Sequence, residues 1–474
     1  MGGTMARERM NDLVVVLPGI LGSRLIDSDG KEAWGPSGGA LWRAIRTFGR
    51  CVEALSLPSD TGDDHPGDGV RVHGVVPTLH ALPGVAPLVD GYSGLLDWLE
   101  QVFTLRRRRR GEADSTPANL IPFAYDWRLS CRFNADRLKE RVERELSRWR
   151  TSAPERRTAR VVFLCHSMGG LVARYYVECL GGFEITKRLI TLGTPHRGSL
   201  SALAHLVNGL PMGWAPWAPR LTSFARSLPS VHQLTPDYAC LVGPRGLQYT
   251  HEVTALPGVD EKLLRDAGEF HSQIRNAALT RSDASAELLP VVGVRQPTPT
   301  TAESVGERLV LLTTIDGLEE GGDGRVPRLS AAPPGARTGH TPCEQHGSLQ
   351  NGRGVRDALW GWLAAEPPYH RTSLYEPVPL SVHAPDLVPA GAPYDLTVTV
   401  PPEVPGHDEL AIRATLCPVE SGQPLRHTLA NRGEGRYAST FLAPAPGPYR
   451  VRVEVAGRQE SSVTALVLVG DPGE

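Results

Sequence analysis

Long hydrophobic runs are missing from this 474-residue chain. No stretch approaches the roughly 18 apolar residues that a membrane-spanning helix needs. An excess of charge of one sign is missing too. Fifty basic residues face 52 acidic ones, a formal net charge of −2, so no global field draws the chain to nucleic acid. Cysteine is sparse: seven residues, at positions 51, 131, 165, 179, 240, 343 and 417. Their spacing matches neither a metal knuckle nor a disulfide framework. No metal or organic cofactor is implied, and scattered thiols fit a reducing cytosol. Met1 to Asp12 is polar, and the apolar run Leu13–Leu17 is too short for a signal-peptide core. Position 6 is Ala6, so the myristoylation pattern fails. A cytoplasmic setting is therefore expected, with peripheral membrane contact left open. The one charge run, Arg106–Arg110, reads as a solvated loop, with an anionic headgroup or a protein partner as the alternative.

Hydrophobic patterning is ordinary for a globular protein, with 41% hydrophobic and 22% charged residues. Short continuous apolar runs read as buried strands: Leu13–Leu17, Asn119–Tyr125, Arg160–Leu164, Ile185–Leu192, Leu288–Val294 and Arg308–Thr314. Between them lie helical patterns. Arg132–Arg150 places Leu138, Val142, Leu146 and Trp149 on one face, with Glu140 and Arg144 set to pair on the wet side. Glu261–Arg281 and Val355–Leu363 also read as helices. Alternating strands and helices imply an α/β domain with a mostly parallel sheet covered on both faces, over residues 9–366. Two irregular segments, about 27–90 and 198–246, read as cap or lid insertions. After Glu366-Pro367-Pro368 the period changes to two. Tyr394, Leu396, Val398 and Val400 alternate with polar residues, as do Tyr449, Val451, Val453 and Val455. Residues 372–474 therefore read as an all-β sandwich of immunoglobulin-like type.

The chemistry centres on Cys165-His166-Ser167-Met168-Gly169, set between a strand and a helix. Small-x-Ser-x-Gly in that setting is the nucleophile elbow of an α/β-hydrolase. The tight turn needs small residues two before and two after the serine; Cys165 stands where glycine is usual. A serine hydroxyl needs a base and a group that orients the base. On this fold the order is serine, acid, histidine. Asp323, between two glycines in Gly322-Asp323-Gly324, is the candidate acid, with Asp316 and Glu319 as competitors. His346, just ahead of the last helix of the α/β region, is the candidate base, with His340 as rival. An oxyanion hole takes one N–H from the residue after the nucleophile, Met168, and one from an early loop, here Ile20 in Pro18-Gly19-Ile20-Leu21-Gly22. His166 reads as packing for the elbow and His196 as structural.

In this order, Val16 to Ser23, Tyr125-Asp126-Trp127-Arg128, His166-Ser167-Met168-Gly169, Leu192-Gly193-Thr194-Pro195, Gly322 to Pro327 and His346 resemble the lecithin:cholesterol acyltransferase-like family. That family includes phospholipase A-type hydrolases and transacylases. The resemblance implies Ser167, Asp323 and His346 as the triad and Ile20 and Met168 as oxyanion donors. It departs where secreted members carry a disulfide-closed lid, since no cysteine pair brackets residues 27–90. A bacterial-type lipase or acyltransferase of the cytosol is the member it points to.

An acyl lipid or ester is the expected substrate. Trp34, Asp126, Trp127, Trp214 and Trp217 are candidates for its binding, since tryptophan suits an apolar–wet boundary. For Asp126 a purely structural pair with Arg128 is the competing reading. Two other functions stay open: a hydrolase of small esters, thioesters or peptides, and a protein that acts mainly through a partner docked on the β-sandwich.

Overall fold

The structure is a computed structural model, and it describes residues 7–35, 55–58, 61–77, 80–82, 86–109, 112–209, 218–253, 256–281, 286–364, 377–419 and 422–470. Five strands form the central sheet: β1 (Leu13–Leu17), β2 (Leu120–Pro122), β3 (Val161–His166), β4 (Thr186–Leu192) and β5 (Glu287–Val291). Their order is β5-β4-β3-β1-β2, and every pairing is parallel. The sheet is buried on both faces, which is why these segments read as unbroken apolar runs. Leu13, Val15 and Leu17 point to one face, with Val161, Phe163 and Cys165 beside them. Helices α1 (Cys131–Thr151), α2 (Met168–Cys179) and α3 (Glu261–Thr280) supply residues to that core. Val14, Val16, Val162 and Leu164 point the other way, where the helix Ser93–Val102 and α4 (Arg353–Leu363) close the second face. The result is an α/β-hydrolase-like core.

Three sequence expectations change here. The run Arg308–Thr314 is not a strand of the central sheet. Its first five residues, Arg308–Leu312, pair with Thr301–Val305 in a separate four-stranded sheet with Leu241–Gly243 and Gly246–Gln248, and Val310 and Leu311 are exposed. An apolar run signals burial or pairing but does not name the sheet. On α1, Glu140 pairs with Arg137 rather than Arg144. The basic run also differs from a free cationic loop. Arg106 pairs with Glu112, Arg107 with Asp97 and Glu100, and Arg108 with the buried Glu145.

The segment read as a first cap contributes Glu32–Trp34 and Arg71–Val75 to a three-stranded sheet with Ser23–Ile26. In the second, the helices Leu200–Asn208, Ala218–Ser227 and Pro229–His232 follow β4. Among the described residues no helix is long and apolar enough to cross a membrane, and the six described cysteines are free thiols.

Beyond residue 377 the chain is all β. One sheet holds four strands and the other five, and their alternating residues share one core. Leu396 and Val398 from the first sheet meet Val451, Val453, Ala465 and Val467 from the second. The linker Glu366-Pro367-Pro368 lies outside the described residues.

Candidate active site

β3 ends at His166 and α2 begins at Met168, so the turn between them is a single residue, Ser167. Its backbone is held at φ 51° and ψ −126°, a region that costs a non-glycine residue about 1–3 kcal/mol. Packing enforces the strain. A Cβ at Gly169 would stand 2.4 Å from the Pro18 carbonyl, and one at Gly170 would stand 2.0 Å from Thr194 Oγ1. The Thr194 hydroxyl donates to the Ser167 carbonyl at 2.9 Å, and the Ser167 N–H donates to Leu192 O at 2.9 Å. The serine is thus lifted at the carboxyl end of the sheet, where open α/β folds place their sites. Cys165 is fully buried beneath it.

Two distant segments converge on this serine. His346 Nε2 lies 2.9 Å from Ser167 Oγ, and His346 Nδ1 lies 2.7 Å from Asp323 Oδ2. The other carboxylate oxygen accepts the Val326 N–H at 2.7 Å and the Arg325 N–H at 3.0 Å. The Asp323 carbonyl accepts the His346 N–H at 2.8 Å. An ionised carboxylate only accepts, so Nδ1 carries the imidazole proton and Nε2 presents its lone pair to the hydroxyl. Ser167, Asp323 and His346 are 7%, 1% and 5% exposed, so water does little to loosen this chain. The acid is seated close to β5: a Cβ at Gly293 would meet Asp323 Cβ at 2.4 Å. The competitors lie elsewhere. Asp316 and Glu319 are exposed in the small hairpin of Thr314–Ile315 and Leu318–Glu319. The His340 carbonyl pairs with the Val292 N–H, and its ring Nε2 faces Gly354.

The early loop closes over the serine. A Cβ at Gly19 would lie 3.0 Å from Ser167 Cβ. Ile20 follows in the turn, while Met168 opens α2 and so has no intrahelical acceptor for its N–H. Sequence reasoning missed how this loop is held. Tyr92 Oη accepts the Gly19 N–H at 2.8 Å, and Tyr125 Oη donates to the Pro18 carbonyl at 2.8 Å. Both phenols are buried, and burial raises their pKa values well above the usual tyrosine range. They therefore stay neutral and act as hydrogen-bonding groups only. Tyr125 belongs to a motif that the sequence displays; Tyr92 carries no such signal.

The candidate substrate residues fare differently. Trp34 and Trp127 are 1% and 0% exposed, with ring centroids 5.6 Å apart edge to face. Their indole N–H groups donate inward to Leu21 O and Ser23 O. They are core residues that fasten the early loop to the sheet, not walls of a substrate mouth. Asp126 is likewise buried, bound through both oxygens by Arg128. Trp214 and Trp217 lie outside the described residues.

Fold and geometry define an α/β-hydrolase-like protein with an alcohol, an imidazole and a carboxylate in hydrogen-bonded series. A model of the lecithin:cholesterol acyltransferase family matches residues 113–253. That span holds Tyr125 to Arg128, the Ser167 elbow and Thr194, so the chain is similar to this family through its nucleophile region. No match is found among curated proteins. Among solved structures the chain is similar to the Bacillus licheniformis lipase BlEst2. The propeptide form is 13% identical with a TM-score of 0.33, over 98% of this chain and 75% of that one. The mature form is 14% identical with a TM-score of 0.34, over 77% and 96%. Likeness at that level transfers no chemistry. The parallel sheet, the elbow and the family match together support an acyl-ester hydrolase or acyltransferase.

Proposed function

We propose that this protein cleaves acyl esters, with acyl lipids as the substrate class, through Ser167 as nucleophile, His346 as general base and acid, and Asp323 as the orienting acid. The observation that carries the reading is the unbroken series Ser167 Oγ, His346, Asp323 at 2.9 and 2.7 Å. His346 Nε2 takes the hydroxyl proton as Oγ attacks the ester carbonyl. The Ile20 and Met168 N–H groups receive the oxyanion, each worth about 3–4 kcal/mol in the transition state. The imidazolium, steadied by Asp323, then protonates the departing alkoxide and leaves an acyl-Ser167. Water or a second alcohol accepts the acyl group by the reverse sequence. We assign this chemistry to residues 9–366 and an immunoglobulin-like accessory role to residues 372–474, in a cytosolic setting where a lipid substrate is met at a membrane or micelle surface.

Fluorophosphonate labelling tests the nucleophile. Wild type is expected to label and Ser167→Ala not to. Absence of labelling on folded wild type sinks the reading in favour of a partner-binding role. A series of esters of rising acyl length tests the substrate class: lipid specificity predicts rates that favour long chains, and turnover of acetyl esters alone points instead to small esters or thioesters.

A further inference from the structure

The base sits in a segment with little structure of its own. His346 opens a 3-10 turn, His346–Asn351, and such turns are too short and poorly bonded to hold a side chain in place unaided. What holds it comes from two sides. The hydrolase core grips His346 itself: its N–H goes to Asp323 O, and His166 Nε2 bonds its carbonyl at 2.9 Å. The residues on either side of it face the C-terminal sheets.

There the contacts are dense. Glu344 Oε2 accepts the Thr464 N–H at 3.0 Å, and the Ser348 hydroxyl donates to the Thr464 carbonyl at 2.8 Å. One residue of the last strand thus pins both flanks of the histidine. Gln345 Nε2 donates to Val382 O at 2.9 Å. Gln296 accepts the Val382 N–H and donates to Leu380 O, each at 2.9 Å, while also donating to Cys343 O. Arg450 grips Asp90 through Nε at 3.1 Å and Nη2 at 2.5 Å. The Asp90 N–H in turn donates to the carbonyl of Gly347, the next residue after His346, at 2.8 Å. A cavity of about 290 Å³ at this seam is lined by Asp323 and His346 on one side and by His383, Asp386 and Leu466 on the other.

We infer that the C-terminal sheets belong to the catalytic apparatus, with Glu344 and the Asp90–Arg450 pair as positioning residues that hold the His346 turn at its working distance from Ser167. The inference rests on the triad proposed above. A side chain about 1 Å out of place can lose two orders of magnitude in rate, so a brace on this turn acts on kcat. It leaves KM alone, because none of these groups reaches the serine.

The test uses the full chain. Glu344→Ala, Glu344→Gln, Ser348→Ala and Arg450→Met are compared with wild type for kcat and KM on one ester, for the rate of fluorophosphonate labelling, and for Tm. Asp395→Ala, an exposed change on the same sheets, serves as control. Glu344→Ala and Arg450→Met are expected to lose about 10- to 100-fold in kcat and labelling rate, with KM within about twofold. Glu344→Gln is expected to recover most of that loss, because an amide oxygen still accepts the Thr464 N–H. Variants that melt lower but label and turn over as fast as wild type would overturn the inference while leaving the triad standing. A wild type that does not label overturns both. If Glu344→Ala fails to fold, Ser348→Ala and Arg450→Met decide.

Discussion

Tyr92 and His166 share a hydrogen bond of 2.7 Å, and that contact joins the two halves of the site. The Gly19 N–H donates to Tyr92 Oη, the phenol donates to His166 Nδ1, and His166 Nε2–H donates to the His346 carbonyl. The loop proposed to bind the oxyanion and the turn that carries the proposed base, His346, thus hang from one buried relay. Tyr92→Phe removes its centre. The Gly19 N–H loses its acceptor, which costs about 1–3 kcal/mol for a buried group. Urea melts are expected to report that loss, together with a fall in kcat of about tenfold. Unchanged stability and rate would mean that the relay holds nothing.

Asp323→Asn presents an amide where the imidazole needs an acceptor and so disturbs the tautomer that serves Ser167. A loss of about 10⁴ in kcat is expected, with circular dichroism unchanged. His346→Ala should be as severe. Asp316→Asn and His340→Ala should stay close to wild type, since neither residue faces the serine. A crippled Asp316→Asn enzyme would move the acid to the exposed hairpin.

Gly170→Ala would drive a methyl group to 2.0 Å from Thr194 Oγ1. Thr194 must then give up its bond to the Ser167 carbonyl. Overpacking of this kind costs about 1–3 kcal/mol. The serine turn should lose its strained geometry, so labelling is expected to slow more than thermal stability alone would explain. Wild-type labelling in the alanine variant would show that the threonine is dispensable.

Glu344 carries a pH signature. Burial pushes its carboxyl from the ordinary 4.5 up to about 7, against the Thr464 N–H, which favours the charged form. The native state therefore holds a proton that the unfolded chain releases between those values. Its contribution is complete below the unfolded pKa and is lost as pH rises through the folded one. Glu344→Gln cannot ionise. Its Tm relative to wild type should rise from pH 5 to pH 8, and a difference that stays flat across that range rules the effect out.

Arg128 is fully buried and binds Asp126 through Nε at 3.0 Å and Nη2 at 2.7 Å, with Asp68 on Nη1 at 2.6 Å. Arg128→Met strands the Asp126 carboxylate in the interior. A destabilisation of about 3–5 kcal/mol is expected, read from urea unfolding. A variant that keeps its stability but changes KM would return Asp126 to the substrate mouth.

Much of the site was legible along the chain because its parts are local. The run Leu13–Leu17 has the bounds of β1, since a strand buried on both faces leaves no polar interruption. The elbow announces itself in Ser167 and Gly169 because the turn demands small neighbours. What stayed hidden was long-range. Nothing near Tyr92 marks it as the partner of Gly19 and His166. An indole reads the same whether it lines a mouth or fills a core, so Trp34 and Trp127 were assignable only once their N–H acceptors were visible. Leu309 to Leu312 were apolar enough for the central sheet, yet pairing with Thr301–Val305 carried them out of it.

The sequence by itself determined the alternation of strands and helices, the change to period two near the end, and the candidacy of Ser167, Asp323 and His346 in that order. Those follow from periodicity and turn chemistry, which act over a few residues. Only the tertiary structure decided that Thr464 stands against the turn of His346 and that Arg450 reaches that turn through Asp90. Contacts between segments more than a hundred residues apart depend on how sheets and loops pack in space, and hydrophobic pattern alone does not encode that juxtaposition.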